Sequence, residues 1–258
     1  MHSLDWLSGA LRDAGLKVVE EPGWRDRGRP GPFGPVKGVL VHHTGSNPKG
    51  GNAPDIGTVT QGRGPPNPLA GPLAQLLLAR DGTFHVIAAG RANHAGTGFW
   101  HGIADGNAQM VGIEAENNGV DEDWPADQMD ALARGCAAIL LRVGSDSVMC
   151  AGHKEYATPR GRKVDPDFDM AEFRERVAQI MAGRGTAAAP AVKTDPRRSM
   201  LRKGDQGQSV TQLQELLGIT TDGSFGPRTD LAVRRFQSEH GLKPDGLVGP
   251  ATWLALGH

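Results

Sequence analysis

The chain has 258 residues, and its 28 Lys and Arg against 29 Asp and Glu give a formal net charge of −1. This balance argues against a nucleic-acid binder, which usually carries a basic face. Hydrophobic residues make up 38% of the chain, enough for a packed core, while no apolar run approaches the ~20 residues of a membrane span. We therefore expect a soluble protein with neither nucleic acid nor membrane as a partner, and we further expect a monomer. No secretory signal is visible at the N-terminus.

A composition break divides the chain. Residues 183–198 lack apolar periodicity, contain two prolines and are typical of a linker. The sequence thus predicts one domain over residues 1–182 and a smaller one over residues 199–258.

The first domain begins with a helical pattern that ends at Gly15 and places three leucines on one face, namely Leu4, Leu7 and Leu11. Residues 38–44 are a strand-like apolar run that ends in polar side chains. Residues 45–72 are rich in Gly, Pro and Asn, which predicts a long surface loop.

Farther along, residues 74–79 and 83–88 flank Asp81-Gly82, a strong hairpin signal. Short strands are predicted at 110–115 and 148–151, and helical periodicity at 129–143 and 170–180. Because strands and helices interleave, we predict an α/β fold with a mixed central β-sheet flanked by helices.

The last 60 residues contain a repeat. The pattern D-G-x-x-G-P-x-T occurs at 222–229 and again at 245–252, an offset of 23 residues. Each copy combines a turn with a helix start, and Ser209 and Gln212 have the spacing of a capping box. We predict a small all-α domain of three helices.

Several histidines occupy the ends of predicted strands or the loops that follow, where α/β scaffolds present functional groups: His42, His43, His94 and His153. A zinc hydrolase site needs three protein ligands and an open position, and Asp165 follows His153 in a polar loop. The helical H-E-x-x-H motif is absent. Spacing alone leaves both a metal site and a purely structural role open.

Four ordered motifs resemble a known family: V-L-V-H-H-T at 39–44, N-H-A-G at 93–96, V-G-I-E at 111–114, and G-H at 152–153 followed by R-K-V-D-P at 162–166. Together they resemble the zinc amidases shared by phage lysins, bacterial cell-wall amidases and peptidoglycan-recognition proteins. The stretch between His153 and Asp165 is longer than that family's usual one.

This resemblance implies a Zn²⁺ cofactor held by His42, His153 and Asp165. It also implies that Glu114 and Lys163 are the catalytic pair, the first as a base for water and the second as a cation for the oxyanion. His94 is expected to line the substrate cleft. His43 alternates with His42 along the strand and is expected to face away from it.

The C-terminal repeat is similar to a three-helix peptidoglycan-binding domain. The whole chain therefore resembles an N-acetylmuramoyl-L-alanine amidase that uses a zinc-activated water and has peptidoglycan as its partner. We expect a phage endolysin, made in the host cytoplasm and released late to the wall. Alternatives are a bacterial wall-remodelling enzyme secreted through a signal outside these residues, a hydrolase of another peptidoglycan bond, and a non-catalytic recognition protein.

Overall fold

The computed structural model describes residues 3–120, 122–183, 200–240 and 242–256. These residues form two compact units, one before residue 184 and one after residue 199. The predicted linker, residues 183–198, lies outside the described residues apart from Gly183. Within the described ranges, no helix has the length and apolar character needed to cross a bilayer.

The first unit is built on a six-stranded mixed sheet with the order β1-β6-β5-β7-β2-β8. A separate two-stranded ribbon pairs β3 with β4. The strands are β1 (Val18–Glu20), β2 (Gly38–His43), β3 (Gly62–Arg63), β4 (Leu69–Ala70), β5 (Leu76–Leu78), β6 (Phe84–Val86), β7 (Met110–Ala115) and β8 (Cys150–Gly152). Within the large sheet β5 and β6 are antiparallel, as the Asp81-Gly82 turn predicts, and the other pairings are parallel.

The helices of this unit vary widely in length. They are α1 (Leu7–Asp13), α2 (Ile56–Gln61), α3 (Gly106–Gln109), α4 (Ala126–Val143), α5 (His153–Tyr156) and α6 (Met170–Met181). The longest, α4, ends at Gly144, whose left-handed backbone (φ 70°) closes the helix. The predicted fold class, a mixed sheet flanked by helices, is confirmed.

Side chains alternate across the sheet, and this alternation separates the core into layers. Val39 and Val41 of β2 belong to the main core, which also contains the buried faces of α1, α4 and α6. Leu40 lies in a second cluster on the opposite face, with Ala95 and Tyr156. The parity of the strand therefore directs His42 away from the α4 face and His43 toward it.

Three local predictions were wrong. Residues 45–72 are not one loop: a 3₁₀ turn (Pro48–Gly50), α2 and the β3–β4 ribbon occupy them, and Val59 is buried. The strand predicted at 148–151 begins only at Cys150, because Ser147–Met149 forms a 3₁₀ turn. Ser209 does not cap a helix, since the N-cap position is Gly207.

The second unit contains α7 (Gln208–Leu216), α8 (Pro227–Glu239) and α9 (Pro250–Ala255) around a small apolar core. The two repeated turns are each tied to a buried glutamine. Gln214 donates from Nε2 to Asp222 Oδ1 (2.7 Å), Ser224 O (3.0 Å) and Thr229 Oγ1 (3.0 Å), and accepts from Gly223 N at Oε1 (2.9 Å).

Gln237 repeats this network 23 residues later. Its Nε2 donates to Asp245 Oδ1 (3.2 Å), Leu247 O (2.8 Å) and Thr252 Oγ1 (3.2 Å), while Oε1 accepts from Gly246 N (2.9 Å). The sequence repeat is therefore a repeat of one hydrogen-bonded unit.

Candidate metal centre and active site

The site lies at the carboxyl edge of three adjacent parallel strands, β7, β2 and β8. His42, near the end of β2, is in register with Glu114 near the end of β7. His153 follows β8 directly. Residues distant in sequence meet here because parallel strands bring their carboxyl ends to the same edge.

Three buried side chains converge at this edge. His42 Nδ1 lies 2.9 Å from His153 Nδ1 and 3.2 Å from Asp165 Oδ2, and His153 Nδ1 lies 2.9 Å from the same oxygen. Ligand atoms placed tetrahedrally about 2.05 Å from an ion are about 3.3 Å apart. The spacing of the three atoms is close to that value, so they form a candidate metal site.

The far nitrogen of each imidazole has its own partner. His153 Nε2 lies 3.0 Å from the carbonyl oxygen of Ala95, to which it can only donate. His42 Nε2 lies 3.2 Å from Nδ1 of His94. When both Nε2 atoms carry the proton, both Nδ1 lone pairs point into the cluster, the arrangement by which outer partners orient metal ligands.

Electrostatics favour a neutral imidazole beside an ionised carboxylate. Burial, assisted by the charge of His153, lowers the pKa of His42 to about 4. Burial acts to raise the pKa of Asp165, but hydrogen bonds with His153 and His42 outweigh it and lower that pKa overall. Metal ligands must be deprotonated, and both groups meet that requirement near neutral pH.

A cavity of about 300 Å³ opens beside the cluster. It is lined by every site residue that the sequence predicts, namely His42, His94, Glu114, His153, Lys163 and Asp165. The Oε2 atom of Glu114 is buried and has no hydrogen-bond partner among the described residues. Burial, with the charge of Asp165, raises the pKa of this carboxyl to about 8.

Glu116, two residues on, provides the contrast. It is fully buried, accepts from Thr44 Oγ1 (3.1 Å) and Asp55 N (2.9 Å), and lies 3.8 Å from Arg80. Its carboxylate holds the segment after β2 in place. Glu114 has no such structural partners for its Oε2, which leaves that atom available to a ligand in the cavity.

Asp167, two residues after Asp165, makes its contacts on the other face of the sheet. His43 Nδ1 lies 3.7 Å from Asp167 Oδ1, and Asp167 Oδ1 also accepts from Trp124 Nε1 at 2.8 Å. His42 and Asp165 thus face the cavity, while Asp167 is hydrogen-bonded to Trp124 of the main core. Asp167 is the acidic residue nearest to Asp165 in the sequence and so the alternative candidate for the third metal ligand. Its Oδ1 atom instead accepts the hydrogen bond from Trp124.

Part of the cavity wall is formed by residues that the sequence did not indicate as site residues. Asp55, Thr58, Val59, Arg63 and Leu69 line it, and all lie in the segment interpreted as a surface loop. The sequence signal for this segment is the i, i+3 spacing of Ile56 and Val59, which is typical of one face of a helix. A single such pair does not indicate a helix among so many Gly and Pro residues. His94 also has an unforeseen role, since its ring packs against Gly112, where a Cβ atom would lie 2.6 Å from His94 Cγ.

Comparison with known families identifies both units. A model described as N-acetylmuramoyl-L-alanine amidase matches residues 32–168. The chain belongs to this amidase family. A second model, described as a peptidoglycan binding domain, matches residues 206–256. The chain therefore combines a unit of the amidase family with a segment that matches the peptidoglycan-binding model.

Two relatives match about a third of the chain each, and one solved structure aligns with most of it. An uncharacterised protein of Kitasatospora aureofaciens is 40% identical over 99 residues, covering 31% of this chain and 84% of its own. A probable N-acetylmuramoyl-L-alanine amidase of Bacillus licheniformis is 36% identical over 99 residues, covering 34% of this chain but only 28% of its own length. The amidase AmiD of E. coli, solved with an anhydromuramyl peptide substrate, is 19% identical with a TM-score of 0.45, covering 93% of this chain and 95% of its own.

Proposed function

We propose that this amidase hydrolyses the amide bond between N-acetylmuramic acid and L-alanine in peptidoglycan with a zinc ion held by His42, His153 and Asp165. The observation that carries the proposal is the buried cluster of these three side chains, which opens into the same cavity as the unpartnered carboxylate of Glu114.

The donor set fits zinc. Two imidazole nitrogens and one carboxylate oxygen are typical of a catalytic zinc site, which keeps its fourth position open to the cavity. When bound there, zinc supplies a Lewis acid that polarises the substrate carbonyl and makes a water molecule more acidic. The positive charge of the ion also favours the ionised form of Glu114.

The chain's own residues move the protons and balance the charge. We propose that Glu114 takes a proton from the attacking water at Oε2 and transfers it to the nitrogen of the departing L-alanine. Lys163, half-buried on the cavity wall, stabilises the negative charge that develops on the carbonyl oxygen. His94 holds His42 in its metal-binding orientation and also contributes cleft surface to the substrate.

The role of the catalytic pair is tested by comparing Glu114 with Glu116, a second buried carboxyl group two residues farther along the chain. Glu114→Gln should retain zinc and lose turnover by ~10²-fold or more. The matched variant Glu116→Gln should be less stable but keep its activity per zinc-loaded molecule. Lys163→Met should behave like Glu114→Gln. Normal turnover in Glu114→Gln, measured on purified walls, would remove that residue from the mechanism.

The bond that is cut is tested by mass analysis of digested peptidoglycan. Free L-alanine amino groups together with intact glycan strands are expected. New reducing ends would indicate a glycosidase, other new amino termini an endopeptidase, and no products at all a recognition protein.

We further propose that residues 1–182 are the catalytic domain, residues 183–198 a linker and residues 199–258 the wall-binding domain. Anchoring to the polymer raises the local substrate concentration. A chain truncated to 1–182 should hydrolyse soluble muropeptides as the full chain does and intact walls more slowly. A zinc-loaded, folded but inactive truncated chain would show that the C-terminal domain shapes the active site.

We also propose that this amidase is a phage endolysin and that it acts as a monomer. The endolysin role is supported by the presence of an amidase-family unit and a peptidoglycan-binding-family unit in one chain. Expression in a bacterial cytoplasm should leave cells intact until the inner membrane is permeabilised, after which they should lyse. Survival after permeabilisation, in cells whose walls the purified protein digests, would contradict this role.

A further inference from the structure

A second cavity, of about 330 Å³, lies in the first unit and contains none of the residues assigned to the metal centre. Its lining is unusually basic: Arg25, Arg27, Arg29 and Arg91 contribute guanidinium groups, whereas Asp26 is the acidic residue among them. We call this cavity the arginine pocket.

The backbone of the arginine pocket is tightly joined. Arg29 N donates to Arg91 O at 2.7 Å, and Gly90 N donates to Arg27 O at 3.1 Å. A Cβ atom on Gly28 would lie 2.9 Å from the Cα of Gly90, so the two segments touch through their glycines. The floor of the pocket is therefore made of two closely packed backbone segments.

Three of the arginines are held by protein partners. Arg91 forms a bidentate pair with Asp105 (3.0 and 3.1 Å) and also donates to Pro32 O. Arg25 stacks 4.5 Å over the ring of Trp24 and pairs with Glu20. Arg27 donates to the carbonyl oxygens of Ile87 and Pro22, so its position is fixed although these partners do not neutralise its charge.

Arg29 differs from the other three. It is half-buried, and within the part of the chain that the structure describes its guanidinium has neither an ion pair nor a hydrogen bond. A half-buried guanidinium without a partner, next to a second one whose charge is not balanced, attracts an anion. Because the planar guanidinium fork matches oxyanions, the ligand must offer at least two acceptor oxygens.

We infer that the arginine pocket is a binding site for an oxyanion, a phosphate or carboxylate group that offers at least two acceptor oxygens. Arg29 supplies the free bidentate donor, Arg27 adds uncompensated positive charge, and Asp26 opposes binding. The inference is independent of the hydrolytic reaction, since it uses no residue of the metal centre.

The test is a titration of the ¹⁵N-labelled full chain with inorganic phosphate and, separately, with glutarate. Saturable shifts are expected at the Nε–H signal of Arg29 and at the amides of Gly28 and Gly90. Tighter binding of phosphate would indicate a phosphodiester-bearing ligand, and tighter binding of glutarate an acidic peptide. Saturable binding supports an oxyanion site in the pocket, whichever of the two anions binds more tightly.

Two variants and a control make the result decisive. Arg29→Gln should weaken binding by about 10-fold or more, and Asp26→Asn should strengthen it by about 2-fold. Arg202→Gln, which removes an equal charge from an exposed side chain of the C-terminal unit, should bind as the wild type does. Shifts that do not saturate, or an Arg29→Gln variant that binds like the wild type, would overturn the inference.

Discussion

The C-terminal unit and the carboxyl edge of the sheet both bury polar side chains, but they treat them differently. In the C-terminal unit, Gln214 and Gln237 are each 1% exposed, and their amide nitrogen and oxygen atoms are both hydrogen-bonded. At the sheet edge, three candidate ligand atoms face one another, and Glu114 Oε2 has no hydrogen-bond partner among the residues that the structure describes. The satisfied networks of Gln214 and Gln237 fix a shape, whereas the open Oε2 of Glu114 lies beside a cavity that a ligand can fill.

Removal of one ligand should produce the largest effect. Asp165→Asn keeps the size of the side chain but removes the anionic donor, so zinc content should fall from about one ion per chain to almost none. Wall hydrolysis should fall with it. Elemental analysis of the purified variant measures the metal directly.

Asp167→Asn is the control for this experiment. It should keep stoichiometric zinc, because Asp167 faces His43 and Trp124 rather than the cavity. Zinc retained in Asp165→Asn but lost in Asp167→Asn would reverse the assignment of the third ligand.

Breaking either closed network should destabilise the C-terminal unit by a similar amount. Gln214→Leu leaves Gly223 N and the buried Thr229 hydroxyl without their partner, which should cost about 2–4 kcal/mol. Gln237→Leu should match it because the two networks have the same bonds. Calorimetry should show a lower unfolding temperature of this unit, together with weaker co-sedimentation with walls.

Gln212→Leu provides the matched substitution on the same helix. The Oε1 atom of Gln212 has no hydrogen-bond partner in the described part of the chain, so its loss should change stability little. Equal destabilisation by all three variants would show that the networks contribute nothing specific.

A smaller effect is expected where His94 packs on the sheet. Gly112→Ala would place a methyl group 2.6 Å from His94 Cγ, which must move and release His42 Nε2. Loss of such an outer partner typically weakens zinc binding by about 10-fold or more. Competition with a chromogenic chelator measures the affinity.

Gly9→Ala in α1 supplies the comparison, because no atom lies within 4 Å of its added Cβ. It should leave zinc affinity unchanged and stabilise the fold by about 0.5–1 kcal/mol. If Gly112→Ala binds zinc as tightly as Gly9→Ala, His94 does not position His42.

The mildest effect concerns a fully bonded carboxylate far from the site in sequence. Hydrogen bonds from Ser8, Trp24 and Arg12, with a further one from Arg25, lower the pKa of Glu20 to about 2 from its usual 4.5. Since the folded pKa lies below the unfolded one, Glu20 stabilises the fold above pH 4.5, and this contribution disappears as the pH falls toward 2.

Urea unfolding of the metal-free protein between pH 6 and pH 3 tests this expectation. Glu20→Gln should be less stable than the wild type at pH 6, and the difference should narrow as the pH falls. A constant difference across this range would contradict the lowered pKa.

The sequence predicts most of the sheet because its signals are local. The Asp81-Gly82 turn specifies the β5–β6 hairpin, and the apolar run before His42 specifies β2. The motif resemblance selects the residues that the structure brings together at the sheet edge. Alternation along β2 alone separates His42 from His43.

Features that depend on distant chain segments could not be predicted. Glu114 lies near the end of β7 and Glu116 just beyond it, and the approach of Thr44 and Asp55 gives Glu116 hydrogen-bond partners. The arginine pocket likewise requires residues 25–29 to meet Arg91. The elements between residues 45 and 72 are too short for periodicity to reveal them.

The hydrogen bond from Trp124 to Asp167 separates two tasks that a metal-binding loop usually combines. Asp167 fastens the loop to the core, while Asp165 carries the proposed donor atom, with one proline between them. The side chain at position 165 can therefore be changed without removing the contact that anchors the loop. A designer could exchange that donor for Cys or His, and so select a different metal, while the loop stays where it is.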